Sequence, residues 1–399
     1  MAATFDACPV ESDLGRHYGM DWLRIGAFGL LIFYHIGLVF VPWNFHAKTA
    51  QPIEWITIPM QALNAWRLSL LFVVSGYASR AIFDGKPAAG AFAWGRTKRL
   101  IPPLLFGIVL IVPPQPWVEL TTQHGYTGSL WRFWTHDYWQ FGKLGGIVLP
   151  TWQHLWFVVY LWAYTLVLAL ALALVPAKLG AWIARLAGWV LYGPLVLIVP
   201  IALLIAQMAW IFPGAPETHA FFDDLPIHRV YFAMFLFGFL LRDSPAVWAA
   251  IRAWWPVALI LGAMGYGFVA WVEIHYPGDT RVSDDLWFAF GVARAVQCWG
   301  TIVALIGIAD RWLNLDHPWR TMLNEAVFPF YIIHQTVIVL VAGALLGVGI
   351  GPLAEFAVLL AATVTGCWLF YRIGREIDWL RPLIGLRRRA RAAPHSQAA

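Results

Sequence analysis

Asp21-x-x-Arg24, ten mostly apolar residues and then His35 place three ionisable side chains in an apolar run from about Trp22 to Pro42. Such a run is long enough to cross a bilayer, which takes about 20 apolar residues. Eleven residues turn an ideal helix by about 1100°, close to three full turns, so Arg24 and His35 share a face. Asp21 joins the same stripe as the i−3 neighbour of Arg24. A histidine inside a membrane helix is costly to leave without a partner and is by default a candidate for function. Its imidazole can take a proton from a hydroxyl or carry an acyl group transiently.

Other apolar stretches carry polar groups at helical spacing. Gln61-x-x-Asn64-x-x-Arg67 forms a stripe at i, i+3 and i+6 that leads into Phe72-Val-Val-Ser75-Gly76-Tyr77. Arg294 and Gln297 repeat the i+3 spacing, and a later stretch reads Glu325-Ala-Val-Phe-Pro329-Phe330-Tyr331-Ile-Ile-His334-Gln335. His154-Leu-Trp156-Phe157 opens a further run, and Arg96-Thr-Lys98-Arg99-Leu-Ile-Pro102-Pro103 concentrates charge where a helix enters the membrane. Each feature also has a plainer explanation. A buried arginine can tie to a carbonyl or carboxylate, His334 with Gln335 can be an interhelical strut, and His154 lies at an interface where histidine costs little. The basic loop can be a topology signal alone, or a phosphate site, since arginine pairs phosphate bidentately. Gly347-Val-Gly-Ile-Gly351 lacks the strand and helix of a nucleotide loop and reads as a turn. The histidines show no close-spaced ligand pattern, so no metal centre is expected.

The elements that carry these groups are membrane helices. Apolar residues make up 60% of the 399 and charged residues 12%, against roughly 45–50% and 25% in soluble domains. The 25 Trp and 26 Phe suit aromatic belts at the membrane interfaces. We read an all-α polytopic membrane protein with ten spans near 23–42, 58–79, 100–118, 152–175, 189–212, 228–241, 255–272, 286–309, 325–348 and 353–372. The third span is interrupted by Pro113-Pro114, and Leu225-Pro226 marks the start of a short sixth. With the N-terminus inside, 20 of the 27 Lys and Arg fall on the cytoplasmic side and 5 outside, which satisfies the positive-inside rule with both termini cytoplasmic. The net charge of +5 is therefore explained by topology and not by nucleic-acid binding. The expected division is an N-terminal cytoplasmic tail over 1–20, a membrane domain over 21–381 and a basic tail over 382–399 that anchors at anionic lipid. The tail over 1–20 is polar and acidic, so no cleaved signal peptide is expected. Cys298 and Cys367 lie within spans as packing residues, and Cys8 lies in the N-terminal tail.

Taken together, Asp21-x-Leu23-Arg24 with His35, Arg67 with Phe72–Tyr77, Arg96-x-x-Arg99, His154-Leu-Trp-Phe157 and Phe330-Tyr331-Ile-Ile-His334 resemble the membrane acyltransferase-3 family, most closely its glucans biosynthesis protein C branch. The resemblance runs from Tyr18 to about Arg381. It implies ten spans in a bacterial inner membrane, a cytoplasmic acyl-CoA as donor substrate with no permanently bound cofactor, and an extracytoplasmic carbohydrate hydroxyl as acceptor. His35 is the implied catalytic histidine. On that basis Arg67 is expected to stabilise charge on the carbonyl oxygen or hold a dicarboxylic acyl group such as succinyl. Arg24, Arg96 and Arg99 are expected to hold the donor's phosphates, with Asp21 orienting Arg24. Tyr331, His334 and His154 would line the route, and Ser75-Gly76 would admit an acyl chain. The chain departs from many relatives in Phe328-Pro329-Phe330, where a small residue is common, and in lacking a fused extracytoplasmic domain. A transporter of an anionic metabolite or glycan is the competing class, because buried Arg and His on broken spans also suit transporters. A silent scaffold in a glycan-synthesis complex is a third. Thioester consumption that depends on His35 separates the enzyme from both. Acyl group, acceptor and homo-oligomer formation are left open by the sequence.

Overall fold

The computed structural model describes residues 17–85, 88–211, 217–278 and 280–389. Most of the expected N-terminal tail lies outside the described residues. The chain runs through α1 (Tyr18–Phe40), α2 (Thr57–Asn64), α3 (Arg67–Asp84), α4 (Ala89–Phe106), α5 (Pro114–Gln123) and α6 (Leu130–Thr135). A short antiparallel hairpin, β1 (Gly142–Leu144) and β2 (Ile147–Leu149), follows. Next come α7 (Trp156–Leu174), α8 (Ala177–Val190), α9 (Leu195–Ala206), α10 (Leu225–Leu241) and α11 (Pro245–His275). The chain then closes with α12 (Asp284–Trp312), α13 (Pro318–Leu345) and α14 (Pro352–Glu376).

The all-α membrane class holds. Among the described residues 7 helices are long and apolar enough to cross a bilayer, and 8 if the pair α8 and α9, bent by 99°, is one span. The expected second span is two helices, broken at Ala65–Trp66. The carbonyls freed there are taken by side chains: Gln297 Nε2 donates to Gln61 O at 2.9 Å and Trp66 Nε1 to Ala62 O at 2.6 Å. A membrane helix tolerates a break only when neighbours satisfy the freed groups in this way.

The third span breaks for a legible reason. Pro113 has no N–H to offer Val109 O, and a π-turn over Gly107–Ile111 precedes it. Trp134 Nε1 donates to Val109 O at 2.7 Å, Tyr138 OH to Ile108 O at 2.9 Å and Thr336 Oγ1 to Ile111 O at 2.7 Å. Just past the interruption Gln115, fully buried, bonds to His154 and Thr336 in the polar interior.

Gly76 and Gly238 fix the contact between α3 and α10. A Cβ at Gly76 would lie 1.9 Å from Phe235 O, and one at Gly238 would lie 1.9 Å from Val73 O. Such small-residue crossings let membrane helices approach at backbone distance. The space beside Gly76 is thus filled by α10 and not left for an acyl chain. Ser75 spends its carbonyl on Ser79 Oγ, which donates at 2.8 Å. Both Cys298 and Cys367 are buried.

Candidate active site

Near the C-terminal half of α1, three histidines from three elements meet. His35 comes from α1, His334 from α13 and His154 from the turn before α7. The His35 and His334 rings are 5.0 Å apart and the His154 and His334 rings 5.2 Å. Of the three, His334 is fully buried and His154 nearly so. Sequence spacing could not bring His154 into this set, because it lies far along the chain from both His35 and His334, in a turn held by Tyr138 and Gln115. Tyr331 helps fix it, donating its hydroxyl to His154 O.

The available acceptors decide the tautomers. His334 Nδ1 faces Tyr331 O at 2.8 Å, a carbonyl that can only accept, so Nδ1 carries the proton and Nε2 holds a lone pair. That lone pair lies 3.1 Å from His35 Nδ1, which also faces Leu31 O at 2.9 Å. His35 Nδ1 therefore donates, and its Nε2 is the basic nitrogen. His154 Nε2 donates to Tyr331 O at 3.1 Å and Ile332 O at 3.0 Å, while Gln115 Nε2 donates to His154 Nδ1 at 3.3 Å and to Thr336 Oγ1 at 2.7 Å. Gln335 completes the network by donating to Gln115 Oε1 at 3.0 Å. Sequence reading missed Gln115, whose only signal was its place after the proline pair.

His35, His154, Tyr331 and Arg67 line one cavity of about 860 Å³. Its walls come from α1, α3, α7, α10, α12 and α13. Arg67 is 6% exposed, with its guanidinium carbon 3.2 Å from the Tyr34 ring centroid and one nitrogen donating to Asn64 Oδ1 at 3.3 Å. Its Nε has no hydrogen-bond partner among the described residues. Arg294 enters the same cavity and donates to Gln61 Oε1 at 2.7 Å. The two polar stripes read from the sequence therefore knit together across α2, α3 and α12. At the mouth, Glu217 accepts from Tyr231 OH at 2.8 Å and lies 2.9 Å from His219 Nε2. Desolvation pushes its carboxyl up, but the His219 and Tyr231 contacts and the charge of Arg67 outweigh that and hold it below the usual carboxylate range.

A second cavity of about 550 Å³ opens at the end of the bundle where α1 begins. Asp21, Arg24 and Arg99 line it, together with Arg242, Arg381 and Arg387, which the sequence reading did not assign. Asp21 pairs across to Arg320 on α13 at 2.6 Å, and Arg24 donates to Asn324 Oδ1 at 2.7 Å. Arg96, expected beside Arg99 at the donor's phosphates, is buried, 7% exposed, and is not among the residues that line this cavity. Three helices run from this cavity to the other: α1 from Arg24 to His35, α3 from Tyr77 back to Arg67, and α13 from Asn324 to Gln335. Between the cavities stand Phe28, Phe72, Phe157 and Tyr331, with Phe72 and Phe157 4.6 Å and Phe28 and Tyr331 5.6 Å apart.

Comparisons with known proteins agree on the class. Residues 17–372 match the acyltransferase-3 family model, described as an acyltransferase domain. The chain is 29% identical over 148 residues to glucans biosynthesis protein C of Escherichia coli O6:K15:H31 (strain 536 / UPEC), covering 37% of this chain and 36% of that protein. It is 28% identical over 152 residues to the protein of that name from Salmonella paratyphi B, again over 37% and 36% of the two chains. The matched stretch thus spans little more than a third of these curated relatives. No solved structure matches the chain. Because the family model covers residues 17–372, including all three histidines, the chain belongs to the acyltransferase-3 family.

Proposed function

We propose that the protein moves an acyl group, of acetyl or succinyl type, from a cytoplasmic acyl-CoA to a hydroxyl of an extracytoplasmic glycan. One observation carries this reading: a histidine that lines one cavity is joined by α1 to an arginine-lined cavity at the opposite end. A phosphate-bearing donor suits the arginine end and a neutral polyol the other. The name of the curated relatives fits a glucan-type acceptor.

The orientation that puts the N-terminus inside makes the arginine cavity cytoplasmic. We take α2 with α3 as one broken pass and α10, of 17 residues, as a short one. About 17 residues is the lower bound for crossing. With the bent pair α8 and α9 this gives ten passes in a bacterial inner membrane, with both ends cytoplasmic.

In the proposed reaction His35 Nε2 takes the proton of the acceptor hydroxyl as its oxygen attacks the thioester carbonyl carbon. The carbon–sulfur bond breaks, an ester forms, and the proton passes to the leaving thiolate. Alternatively His35 Nε2 attacks first and the acyl group rests on the ring before the hydroxyl takes it. Arg67 lies beside the site with its guanidinium fixed on Tyr34, suited to charge developing on the carbonyl oxygen. Arg67 and Arg294 together suit an acyl group with a distal carboxylate. Gln115, Gln335 and Tyr331 hold the histidines and need not touch the substrate.

The test is mass spectrometry of extracytoplasmic glycans with wild-type protein and with His35→Ala, alongside CoA release by purified protein. A glycan mass difference and thioester consumption that both vanish in His35→Ala are expected. Full acylation by the variant would overturn the assignment, and uptake of substrate without CoA release would favour transport.

A further inference from the structure

The chain does not leave the membrane as a loose tail after α14. Arg381–Ile384 forms a turn of helix whose Ile384 is fully buried and whose successor Leu386 is 6% exposed, both packed with Ala326 and Tyr371. Gly385 makes the turn with φ of 80°, and a Cβ there would lie 1.9 Å from Phe328 Cδ1, so glycine alone lets the segment close on α13. Arg381 clamps the loop: Nε donates to Arg387 O at 2.7 Å, one terminal nitrogen donates to Arg375 O at 2.6 Å and the other lies 3.5 Å from Glu325. The result points Arg387 into the second cavity, where Arg99 lies within electrostatic reach of Arg24 and Arg387.

Cations gathered in a cavity repel each other unless something neutralises them. Of the two carboxylates in its wall, Asp21 is paired with Arg320 and Glu325 with Arg381. Among the described residues neither Arg99 nor Arg387 has an ion-pair partner. A polyanion carrying several phosphate groups completes such a site, and guanidinium groups pair phosphate with two parallel hydrogen bonds. The segment that delivers Arg387 is packed and clamped, which a lipid-seeking tail does not require.

We propose that Arg381–Arg387 is a wall of the donor site, and that Arg387 joins Arg24 and Arg99 in holding the nucleotide phosphates of the acyl-CoA, with Arg381 as a positioning residue. The proposal rests on the donor reading above.

The test measures binding of CoA and 3′-dephospho-CoA to the full-length protein in phosphatidylcholine nanodiscs, for wild type, Arg387→Gln, Arg387→Lys and Arg389→Ala. Arg389 lies outside the cavity and pairs with Glu376 at 2.5 Å, so it reports loss of a nearby positive charge alone. Arg387→Gln is expected to weaken CoA binding about tenfold or more, as loss of a charge-assisted contact does. The salt dependence should fall with it, Arg387→Lys should recover part of the affinity, and Arg389→Ala should match wild type. Wild-type CoA binding that is equal in Arg387→Gln overturns the role of the segment and leaves the donor reading standing. Absence of CoA binding by wild type overturns the donor reading itself. If Arg387→Gln leaves CoA binding intact but loses retention of phosphatidylglycerol in mixed nanodiscs, the occupant is a lipid headgroup and the proposal fails.

Discussion

His334 Nε2 lies 3.1 Å from His35 Nδ1, and that contact joins a buried ring on α13 to the ring on α1 that faces the larger cavity. With Leu31 O, the contact holds the His35 proton on Nδ1 and leaves Nε2 basic. Replacing His334 with Phe keeps a buried ring but removes one of these two acceptors, so the ring is held in place by Leu31 O alone. The expected result is a fall in kcat of roughly 10- to 100-fold, about 1.4–2.7 kcal/mol in barrier, with donor KM little changed. Steady-state kinetics with a CoA-release assay check this. A His334→Phe enzyme with wild-type kcat would show that the contact does not matter to turnover.

The Arg67 guanidinium is held flat on Tyr34 and pointed by Asn64, so its geometry as well as its charge is fixed. Lysine keeps the charge and loses the planar fork. Arg67→Lys and Arg67→Ala are both expected to lower kcat, on the order of 10²- to 10³-fold for the alanine variant, the range for removing one oxyanion donor. Comparing acetyl-CoA with succinyl-CoA separates two roles. An equal loss with both donors fits stabilisation of the carbonyl oxygen, whereas a larger loss with succinyl-CoA fits a clamp on the distal carboxylate.

Much of this site could be read from the chain because helical periodicity is local. The stripe from Asp21 through Arg24 to His35, and the one from Gln61 through Asn64 to Arg67, needed only the 3.6-residue repeat. What could not be read was set by contacts distant in sequence. His154, named from the family motif and not from spacing, reaches the cluster through a turn held by Tyr138, Gln115 bonds into it from just past Pro113-Pro114, and Asp21 finds Arg320 across the bundle. Arg387 reads from the sequence as part of a lipid-anchoring tail because nothing local announces that Gly385 folds the segment back. The break between α2 and α3, satisfied by Gln297 and Trp66, likewise leaves no mark in hydropathy.

Gly238 and Val73 give the crossing of α3 and α10 its closeness, with a Cβ at Gly238 placed 1.9 Å from Val73 O. The obstacle is backbone, which cannot swing aside as a side chain would. Gly238→Ala is expected to destabilise the fold by about 1–3 kcal/mol, the range for forced overpacking. It should also lower activity by shifting α3, which carries Arg67. Thermal unfolding monitored by size-exclusion chromatography checks the first effect. A variant as stable as wild type would mean the two helices can part without loss.

His17 provides a test in pH. It stands just before α1, stacked on Trp248 with ring centroids 4.5 Å apart and 3.4 Å from Asp310. Burial is the main cause that lowers its pKa from 6.5, Asp310 pulls the other way, and Arg252 and Arg242 add to the lowering. The folded state therefore binds this proton less readily than the unfolded chain. Between the lowered value and 6.5 the unfolded chain holds more protons, so stability rises with pH across that window and is complete above it. Acidification from pH 7.5 to 5.5 should thus remove a contribution on the order of 1 kcal/mol at most. His17→Phe keeps the stack on Trp248 and has nothing to titrate, so its melting temperature should fall less than wild type over the same interval. The difference between the two curves isolates His17 from the other histidines. Parallel curves would show that His17 takes up its proton equally well folded and unfolded.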